Sequence, residues 1–563
     1  FMLVISVTVI PIYLTKMRKE VMKEKIIQEI LGKFLDNKLL LTFENSLTVR
    51  TSSASSTDDT TKYASYIETL ENTASTKTKY LILWYLSADN DIDEVPFHDD
   101  EGTFRYYLNN DAFWLNHILG AILENSGEEG LSNIEILIMR DGLNDKESGS
   151  YDGYKIRISP IRSGFETDQS KLYRVDLSTG ELIEIANYGE LNMGSTLPLE
   201  TFLNYALDNY SFSEYYYVLI LSDHGGAWMG FGWDATSGND MLRLGEIRRA
   251  IFNALISHGL SKLDMIIFEA CLMGSIEVLY EIAKGFVDIR IGELRELASI
   301  LIASENPMMR DGLAYALRYA INYLIDNPGT PLKTFARKII YYYEEIMKPI
   351  NMNSIYLAED KYNEYNGFFG IPWEDGWMSE DTIRLCLNDI PTLTIFDVSK
   401  SKYFFDDLDN MIAYIKQHLE DNDAIVLSKK WINPYTLRIE IANMKWIMMT
   451  ALQRTQTVYE DACSMKDFYD FVSEMANLYD TNEKQIFTNT LTSYVSMIVE
   501  EYHCPSLLDA HGMTIYFPYT RDELDTTGIY DNTLFNSHYD WLYILNLYYS
   551  TQPMHYILYV RSW

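Results

Sequence analysis

Five short apolar runs, each followed at once by polar residues, are the feature that most constrains how this chain can fold. The runs are four to seven residues long, and amphipathic helical patterns lie between them. Buried strands that alternate with helices predict an α/β fold with a mostly parallel sheet and helices on both faces. The predicted strands are Tyr80–Leu86, Ile134–Met139, Tyr215–Leu221, Met265–Phe268 and Ile300–Ala303.

The polar residues after these strands predict the position of a functional site. Ligands of open α/β sheets bind at the carboxyl ends of the strands. If the strands are parallel, the polar residues therefore share one edge of the sheet. In chain order these residues are Asp89, Asn90 and Asp91, then Arg140 and Asp141, Asp223 and His224, Glu269 and Cys271, and Ser304 and Glu305.

Two of the strand ends carry a combination typical of nucleophilic catalysis. Cys271 follows one strand and opens a helical pattern, and a helix N-terminus stabilises a thiolate. His224 ends the preceding long strand, so we expect the two strands to be neighbours. Gly225 and Gly226 let the backbone come close to a ligand and point an N–H inward, and the amide of Cys271 is a candidate second donor to an oxyanion. A single cysteine or histidine after a strand is more often structural, but the two motifs together favour catalysis.

Composition sets limits on partners and cofactors. The formal net charge of -35 argues against nucleic acid, which needs a basic surface, and it would attract cationic substrates. The alternative explanation of this charge is a solvated acidic surface. The four cysteines form no CxxC motif and the nine histidines no HExxH motif, so a disulfide framework or a catalytic zinc site has little support.

The first fifty residues have a separate character. Phe1–Leu14 is apolar apart from Ser6 and Thr8, and as a helix it would be roughly 21 Å long, short of a ~30 Å bilayer core. Apolar positions continue at helical spacing to about Leu41, which predicts an N-terminal helix within residues 1–50. This helix could hold the protein at a membrane, assemble copies of it like a processed pilin-type N-terminus, or pack on its own body. The basic residues that follow the apolar run conflict with an ordinary secretory signal.

Changes in pattern divide the rest of the chain into three segments. Residues 51–79 begin with "TSSASSTDDTTK", a polar low-complexity linker. Residues 80–395 hold the predicted strands and form the first α/β domain. Residues 396–563 are predicted to form a C-terminal α/β region, with a helix at Lys466–Tyr479 and a strand within Gly512–Pro518.

On these motifs, the sequence resembles the clostripain family of cysteine peptidases, which are relatives of caspases, legumains and gingipains. The blocks "YVLILSDHGGAW", "DMIIFEACLMGSIEVLYEIA", "IASEN" and "GMTIYFP" carry the resemblance, which extends from about Tyr80 to Ser550. The resemblance implies a caspase-like α/β/α sandwich and a Cys/His dyad that cleaves peptide bonds after basic residues.

The resemblance also implies roles for individual residues. Cys271 would be the nucleophile, His224 the general base and later the acid, and the amides of Gly225 and Cys271 the oxyanion hole. Glu269 stands where the family usually has Asp in the pocket for Arg or Lys. Its side chain is longer by about 1.5 Å, so the preference between Arg and Lys stays open. Ser304 is the other residue expected to bind substrate.

Two further expectations concern maturation and cofactors. Several family members cut themselves after a basic residue between the histidine and the cysteine, but this chain has no Lys or Arg between His224 and Arg243. We therefore expect an uncut or differently cut chain. The dyad requires no cofactor. Some relatives need calcium, and Asp89, Asp91 and Asp93 are calcium candidates that lack the glycine and terminal glutamate of an EF-hand loop.

The sequence thus predicts a cysteine endopeptidase that acts on proteins or peptides with Arg or Lys at the cleavage site. We expect it outside the cell or in the cell envelope, where residues 1–41 would contact a membrane or other copies of the protein. The alternative is a catalytically silent protein that keeps the peptidase fold as a binding or structural component.

Overall fold

A nine-stranded sheet forms the centre of the protein and carries the strand ends predicted from the sequence. The computed structural model describes residues 5–6, 77–90, 94–98, 104–108, 128–142, 169–288, 293–308, 313–351, 392–455, 457–459, 464–503, 507 and 510–561. The strands of the sheet are β1 (Lys79–Ala88), β2 (Ile134–Gly142), β3 (Lys171–Asp176), β4 (Glu181–Asn187), β5 (Tyr215–Ser222), β6 (Leu263–Glu269), β7 (Ala298–Ala303), β8 (Thr392–Asp397) and β9 (Ile498–His503).

Most strands of this sheet point in the same direction. Their order across the sheet is β9-β8-β7-β6-β5-β1-β2-β3-β4. Five consecutive strands of the sheet pair in parallel, namely β7, β6, β5, β1 and β2. Antiparallel pairing adds β3 and β4 on one side and β8 and β9 on the other, so seven of the nine strands run the same way. This arrangement confirms the predicted mostly parallel sheet.

The strand order reverses between β1 and β5. The chain first adds strands on one side of β1, and then it returns to add β5 to β9 on the other side. A reversal of this kind leaves a crevice beyond the carboxyl ends of the two central strands, and open α/β sheets bind ligands there. β5 borders the reversal and β6 is the next strand, so both candidate motifs lie beside this crevice.

Helices cover both faces of the sheet, as the fold class predicts. Successive side chains of a strand point to opposite faces, so Leu219 and Leu221 of β5 join one buried core while Val218 and Ile220 join the other. The second core packs against α4 and α5, and the first packs against the remaining helices. The helices are α1 (Thr196–Asn209), α2 (Leu244–Ser257), α3 (Ile276–Ala283), α4 (Ala314–Asp326), α5 (Leu332–Asn351), α6 (Ser401–Asp421), α7 (Met444–Leu452), α8 (Phe468–Asn477), α9 (Lys484–Met497), α10 (Leu534–Tyr539) and α11 (Trp541–Ser550), besides a four-residue helix at Glu128–Leu131.

The C-terminal region completes the same sheet and core. The boundary predicted at 395/396 falls inside β8, and β9 pairs with β8 at one side of the sheet. Phe404 and Leu408 of α6 lie in the same buried core as Leu219. A separate four-stranded antiparallel sheet consists, in spatial order, of Ile5–Ser6, His555–Arg561, Thr436–Ala442 and Ile425–Asn433.

Short ladders complete the secondary structure. They pair Glu94–His98 with Phe104–Leu108, Phe231–Asp234 with Asp240–Leu242, Phe286–Asp288 with Glu293–Arg295, and Met465–Asp467 with both Thr457–Tyr459 and Thr514–Tyr516. All five strands predicted from the apolar runs form, and each extends slightly beyond its predicted bounds.

The predicted N-terminal helix lies outside the described residues, apart from Ile5–Ser6, which form a two-residue strand. The predicted linker at 51–79 lies outside them too, except for its last three residues. In the described ranges, no helix combines the length and the apolar character that crossing a bilayer requires.

Candidate active site

One backbone pairing brings the two sequence motifs together. β5 and β6 lie side by side in parallel, and Ser222 pairs with Glu269 at their carboxyl ends. His224 and Cys271 each follow this rung by two residues, so they leave the sheet at the same height on neighbouring strands. The amide of Asp223 donates to the carbonyl of Glu269 at 3.3 Å and extends the pairing by one residue.

The loops beyond this rung meet at Gly225. A Cβ atom on Gly225 would lie 2.0 Å from the carbonyl oxygen of Cys271, a distance that no side chain tolerates. Gly226 has more room, because its Cβ would lie 3.2 Å from the side chain of Met229. Gly225 therefore brings the two loops together, whereas the approach of its backbone to a ligand and the role of its amide as an oxyanion donor stay predictions.

Cys271 lies in a loop, and the prediction that it opens a helix is wrong. Helix α3 begins at Ile276, and the side chain of Ser275 caps it by accepting from the amide of Val278 at 3.3 Å. The sulfur is therefore several residues away from the free amides of the helix, and the helix dipole acts at Ser275 instead.

The segment after Cys271 does not become helical, because it binds the loop that follows β7. The amide of Leu272 donates to the carbonyl of Asn306 at 3.1 Å, and the amide of Gly274 donates to the carbonyl of Ser304 at 2.6 Å. Leu272 has a φ of 65°, in the left-handed region that a leucine adopts only when its surroundings hold it there. The residue after Cys271 is thus held in a strained conformation by a neighbouring loop.

The thiol is bound by the same loop. The amide of Met308 donates to the Sγ of Cys271 at 3.1 Å. The thiol also donates to the carbonyl of Met308 at 3.7 Å. The amide favours the thiolate, because hydrogen bonding to a charged form stabilises it, whereas the carbonyl accepts only from the neutral thiol. The amide of Met308 is thus the donor to the sulfur, in place of the helix N-terminus that the sequence suggested.

The ring of His224 is held by an aromatic neighbour. It stacks on the indole of Trp233 with 4.4 Å between ring centroids and 7° between the planes. The carbonyl of His224 accepts from the amide of Gly232 at 2.8 Å, which fastens the strand that carries Trp233. An aromatic face attracts a cation, so this stack suits a histidine that gains a proton during a reaction.

Asp223 holds the backbone around His224. Its buried carboxylate accepts from the amide of His224 at 2.5 Å and from the amide of Trp233 at 3.2 Å. The side-chain amide of Asn90 lies 3.0 Å from both carboxylate oxygens. Burial raises the pKa of Asp223 to about 7, against the opposing charge of His224. Asp223 thereby ties the end of β5 to the end of β1 across the reversal in strand order.

Glu269 is half-buried and fixed by a hydrogen-bonded chain. The indole N–H of Trp84 donates to the hydroxyl of Ser222 at 2.7 Å, and that hydroxyl donates to Oε2 of Glu269. Burial raises the pKa of Glu269 to about 7, although hydrogen bonds from Ser222, the backbone of Ala314 and Trp84 favour the ionised form. The carboxyl group at this position therefore changes its charge near neutral pH.

Ser304 is fully buried in the loop after β7. Its hydroxyl donates to the carbonyl of Asn306 at 2.9 Å and lies 3.0 Å from the hydroxyl of Thr392. Ser304 thus shapes the segment that carries Met308 to the thiol, and its role in binding substrate stays a prediction.

Three carboxylates converge beside the reversal in strand order. Oxygens of Asp89, Glu190 and Asp234 lie within 4.8 Å of one another. The Oδ1 of Asp89 is buried and has no hydrogen-bond partner in the described part of the chain. Burial, with a contribution from Asp234, raises the pKa of Asp89 to about 7, and burial with the charge of Glu190 raises that of Asp141 to about 8. The crowding of acidic groups suits a bound cation.

Of the calcium candidates from the sequence, only Asp89 can be placed in this cluster. Asp91 and Asp93 lie outside the described residues. Glu190 and Asp234 were missed because neither directly follows a strand of the central sheet.

Two other residues of the site were also missed, for different reasons. Trp233 lies in a short strand outside the apolar runs, and nothing in its spacing indicates that its ring meets His224. Met308 acts through its backbone amide, and no side-chain pattern indicates the position of an amide.

The expectation of an uncut chain stays a prediction. Arg243 lies at the N-cap of α2, where its guanidinium donates to the carbonyl of Met229 at 2.8 Å. Its amide donates to the carboxylate of Glu246 at 3.0 Å. The first basic residue after His224 is thus part of a folded helix start.

Alanine at position 225 tests the contact between the two loops. We expect Gly225→Ala to slow alkylation of Cys271 by iodoacetamide about tenfold, because the new Cβ would displace the Cys271 loop from the donors that favour its thiolate. Gly226→Ala is the matched control, since its Cβ first meets the flexible side chain of Met229, and it should keep the wild-type rate. Equal alkylation rates in the two variants would contradict the contact.

The chain is similar in sequence to clostripain from Hathewaya histolytica, with 29% identity over 137 residues. This match covers 22% of the present chain and 24% of clostripain, about a quarter of that protein's length.

Two solved structures also give matches to this chain. One is a secreted C11 cysteine protease from Bacteroides thetaiotaomicron in complex with an irreversible peptide inhibitor, with a TM-score of 0.49 and 13% identity over 82% of this chain and 99% of that chain. The other is an inactive zymogen of a C11 protease from Parabacteroides distasonis, with a TM-score of 0.42 and 15% identity over 78% of this chain and 93% of that chain.

The clostripain family gives a match over most of the chain. Its family model matches residues 109–548, more than three quarters of the sequence. The matched region includes His224, Glu269 and Cys271. The chain therefore belongs to the clostripain family.

Proposed function

We propose that the protein is a cysteine endopeptidase in which Cys271 is the nucleophile and His224 the general base. One observation carries the proposal: the loops that bear these residues leave neighbouring strands at one rung and meet where Gly225 approaches the carbonyl of Cys271. Membership of the clostripain family supports it. The catalytically silent alternative is not favoured, because both residues of the dyad are present at adjoining strand ends.

In the first half of the reaction, the Sγ of Cys271 attacks the carbonyl carbon of the scissile peptide bond. The thiol proton passes to the imidazole of His224. The C–N bond then breaks, and the imidazolium gives this proton to the leaving amine. The products are a thioester on Cys271 and a peptide with a new N-terminus.

In the second half, His224 accepts a proton from water, and the water oxygen attacks the thioester carbonyl. The C–S bond breaks, the carboxylic acid product leaves, and the proton on His224 returns to the thiolate. The amides of Gly225 and Cys271 are the proposed donors to the oxyanion in both steps. The amide of Met308, at 3.1 Å from Sγ, supports the thiolate as the leaving group.

The proposal includes specificity for Arg or Lys at the cleavage site, and Glu269 is the residue that would provide it. Its carboxylate lies two residues before the nucleophile, and Ser222 fixes one of its oxygens. A cationic side chain of a protein or peptide substrate would pair with the exposed part of this half-buried carboxylate, which also accepts hydrogen bonds from the backbone of Ala314 and from Trp84. Ser304 contributes indirectly, through the loop that it holds.

The proposal extends to location. The apolar segment Phe1–Leu14 supports a place outside the cell or in its envelope. A contact of residues 1–41 with a membrane or with other copies of the protein belongs to the same proposal.

The dyad is tested by covalent labelling and kinetics. A peptidyl chloromethyl ketone with Lys or Arg at its reactive end should label the wild-type chain and fail to label Cys271→Ala. We expect His224→Ala to lower kcat/KM by roughly 10²–10⁴, the usual contribution of a general base. His258→Ala is the control, because His258 binds Asp208 at the surface, away from the site. Labelling of Cys271→Ala, or full activity of His224→Ala, would refute the dyad.

Specificity through Glu269 predicts a characteristic pH dependence. Since the pKa of Glu269 is raised to about 7, the group is ionised above neutral pH and protonated below it. The ratio of kcat/KM for an Arg substrate to that for its neutral citrulline analogue should therefore fall as the pH drops through about 7. The ratio cancels the ionisation of the dyad, which acts on both substrates.

Glu269→Gln separates this specificity from a structural effect. It should remove the pH dependence of the ratio and weaken the Arg substrate by ~2–5 kcal/mol, the range for losing one partner of a buried charge pair. An acid whose pKa is raised by folding destabilises the folded state when it ionises, so Glu269→Gln should not lower the unfolding temperature at pH 8. A wild-type ratio in this variant would place the specificity elsewhere.

We also propose that the carboxylate cluster binds calcium. Asp89, Glu190 and Asp234 would supply oxygen ligands of the kind that Ca²⁺ prefers. The Oδ1 of Asp89 would gain the partner that it lacks. The ion would balance the charge of the cluster and stabilise the loops beside the strand reversal, and no step of peptide hydrolysis involves it.

Calcium binding is tested by thermal unfolding of the Cys271→Ala chain. Calcium at about 100 times its Kd should stabilise the fold by about 2.7 kcal/mol. Glu190→Gln should reduce this effect, whereas Glu214→Gln, a change at an exposed carboxylate outside the cluster, should leave it intact. No stabilisation by calcium, or full stabilisation of Glu190→Gln, would exclude the site.

A further inference from the structure

The hairpin of the four-stranded sheet ends in exposed hydrophobic side chains. Its strands, Ile425–Asn433 and Thr436–Ala442, are joined by Pro434 and Tyr435. The exposed fractions are 59% for Trp431, 54% for Ile432 and 68% for Tyr435. Three large apolar side chains within five positions of the chain are thus exposed to solvent.

The same hairpin differs in charge from the rest of the protein. Residues 424–439 contain Lys429, Lys430 and Arg438 and no Asp or Glu, in a chain that has 81 acidic residues among 563. Both lysines are exposed, whereas Arg438 binds Glu440 at 2.7 Å. The exposed aromatic residues therefore lie in a locally cationic part of an acidic molecule.

The end of the hairpin, which we call the tip (Lys429–Tyr435), has an ordered structure. Trp431 pairs with Leu437, and Leu437 pairs on its other side with Val560 in the last strand of the chain. Leu437 is buried beneath this end of the sheet. The side chain of Asn433 accepts from the amide of Tyr435 at 2.9 Å, which fixes the turn. The exposed side chains are thus presented on an ordered strand end.

The size of the patch indicates the class of partner. Side chains of these types bury 150–250 Å² each, so the three exposed ones offer roughly 400 Å². A stable protein interface needs about 800 Å² per partner. A lipid surface has no such requirement, since Trp and Tyr place an apolar body and a polar edge at the level of the headgroups. Lysines beside them attract anionic lipids.

We propose that the tip at Lys429–Tyr435 docks on an anionic lipid surface. Trp431, Ile432 and Tyr435 enter the headgroup region, and Lys429 and Lys430 bind the lipid phosphates. The net charge of -35 repels the remaining surface from the same lipids, so the tip sets the orientation of the bound protein. This proposal is independent of the peptidase chemistry.

Vesicle co-sedimentation tests the proposal on the full-length Cys271→Ala chain, which cannot cut itself through that thiol. The chain should bind vesicles of phosphatidylcholine with 30% phosphatidylglycerol, and binding should weaken in 0.5 M NaCl and on pure phosphatidylcholine. We expect the triple variant Trp431→Ser, Ile432→Ser, Tyr435→Ser to lower the partition coefficient at least about tenfold, because it removes the apolar area that enters the headgroup region. Lys429→Glu with Lys430→Glu should lower it comparably.

A matched control separates the tip from general hydrophobicity. Leu197 and Tyr403 are 66% and 61% exposed and lie on α1 and α6, so Leu197→Ser with Tyr403→Ser should bind like the parent chain. Trp431→Phe should retain binding but lose the part of the tryptophan quenching that doxyl-labelled lipids cause in the parent. These two results together place Trp431 in the headgroup region.

Three results would overturn the proposal. The first is no binding of the parent chain to anionic vesicles. The second is undiminished binding of the triple variant, which would assign the membrane contact to another part of the chain. The third is a dimer in lipid-free solution that the triple variant abolishes, which would identify the partner as a second copy of the chain.

Discussion

The pairing of β5 with β6 is the interaction on which the candidate site depends. Five rungs, from Met265 with Val218 to Glu269 with Ser222, fix the height at which the two loops leave the sheet. The buried side chains on both faces hold this register, because a slip of one residue would turn every core side chain of one strand to the wrong face. The hydrophobic core therefore determines the distance between the nucleophile loop and the histidine loop.

This dependence explains why the fold, and the neighbouring strand ends that carry His224 and Cys271, could be predicted from the sequence. The catalytic roles of the two residues stay a proposal. The apolar runs predict the strands through burial alone, and the motifs at their ends are made of side-chain types that chemistry restricts. The neighbouring positions of β5 and β6 follow from one intervening helix. The sequence singled out Gly225 for approach to a ligand, whereas the structure shows it against the carbonyl of Cys271, where only a residue without a Cβ fits.

Other features depend on contacts between distant segments, and the sequence pattern does not report them. Cys271 was expected at a helix start, but amides of the next residues bind the loop at 304–306, and this keeps the segment out of the helix. The stack of Trp233 on His224 and the amide of Met308 at the sulfur are contacts of the same kind. The boundary at 395/396 was placed on a change of pattern, although β8 and β9 continue the same sheet.

The position of β8 and β9 in the sheet has a consequence for the integrity of the molecule. β8 is hydrogen-bonded to β7 although many residues separate them in sequence, and β9 closes the same side of the sheet. A peptide bond broken between β7 and β8 would leave two fragments held together by the ladder and the shared core. A denaturing gel would then show two bands where a sizing column shows one particle, because the ladder and the shared core do not depend on that peptide bond.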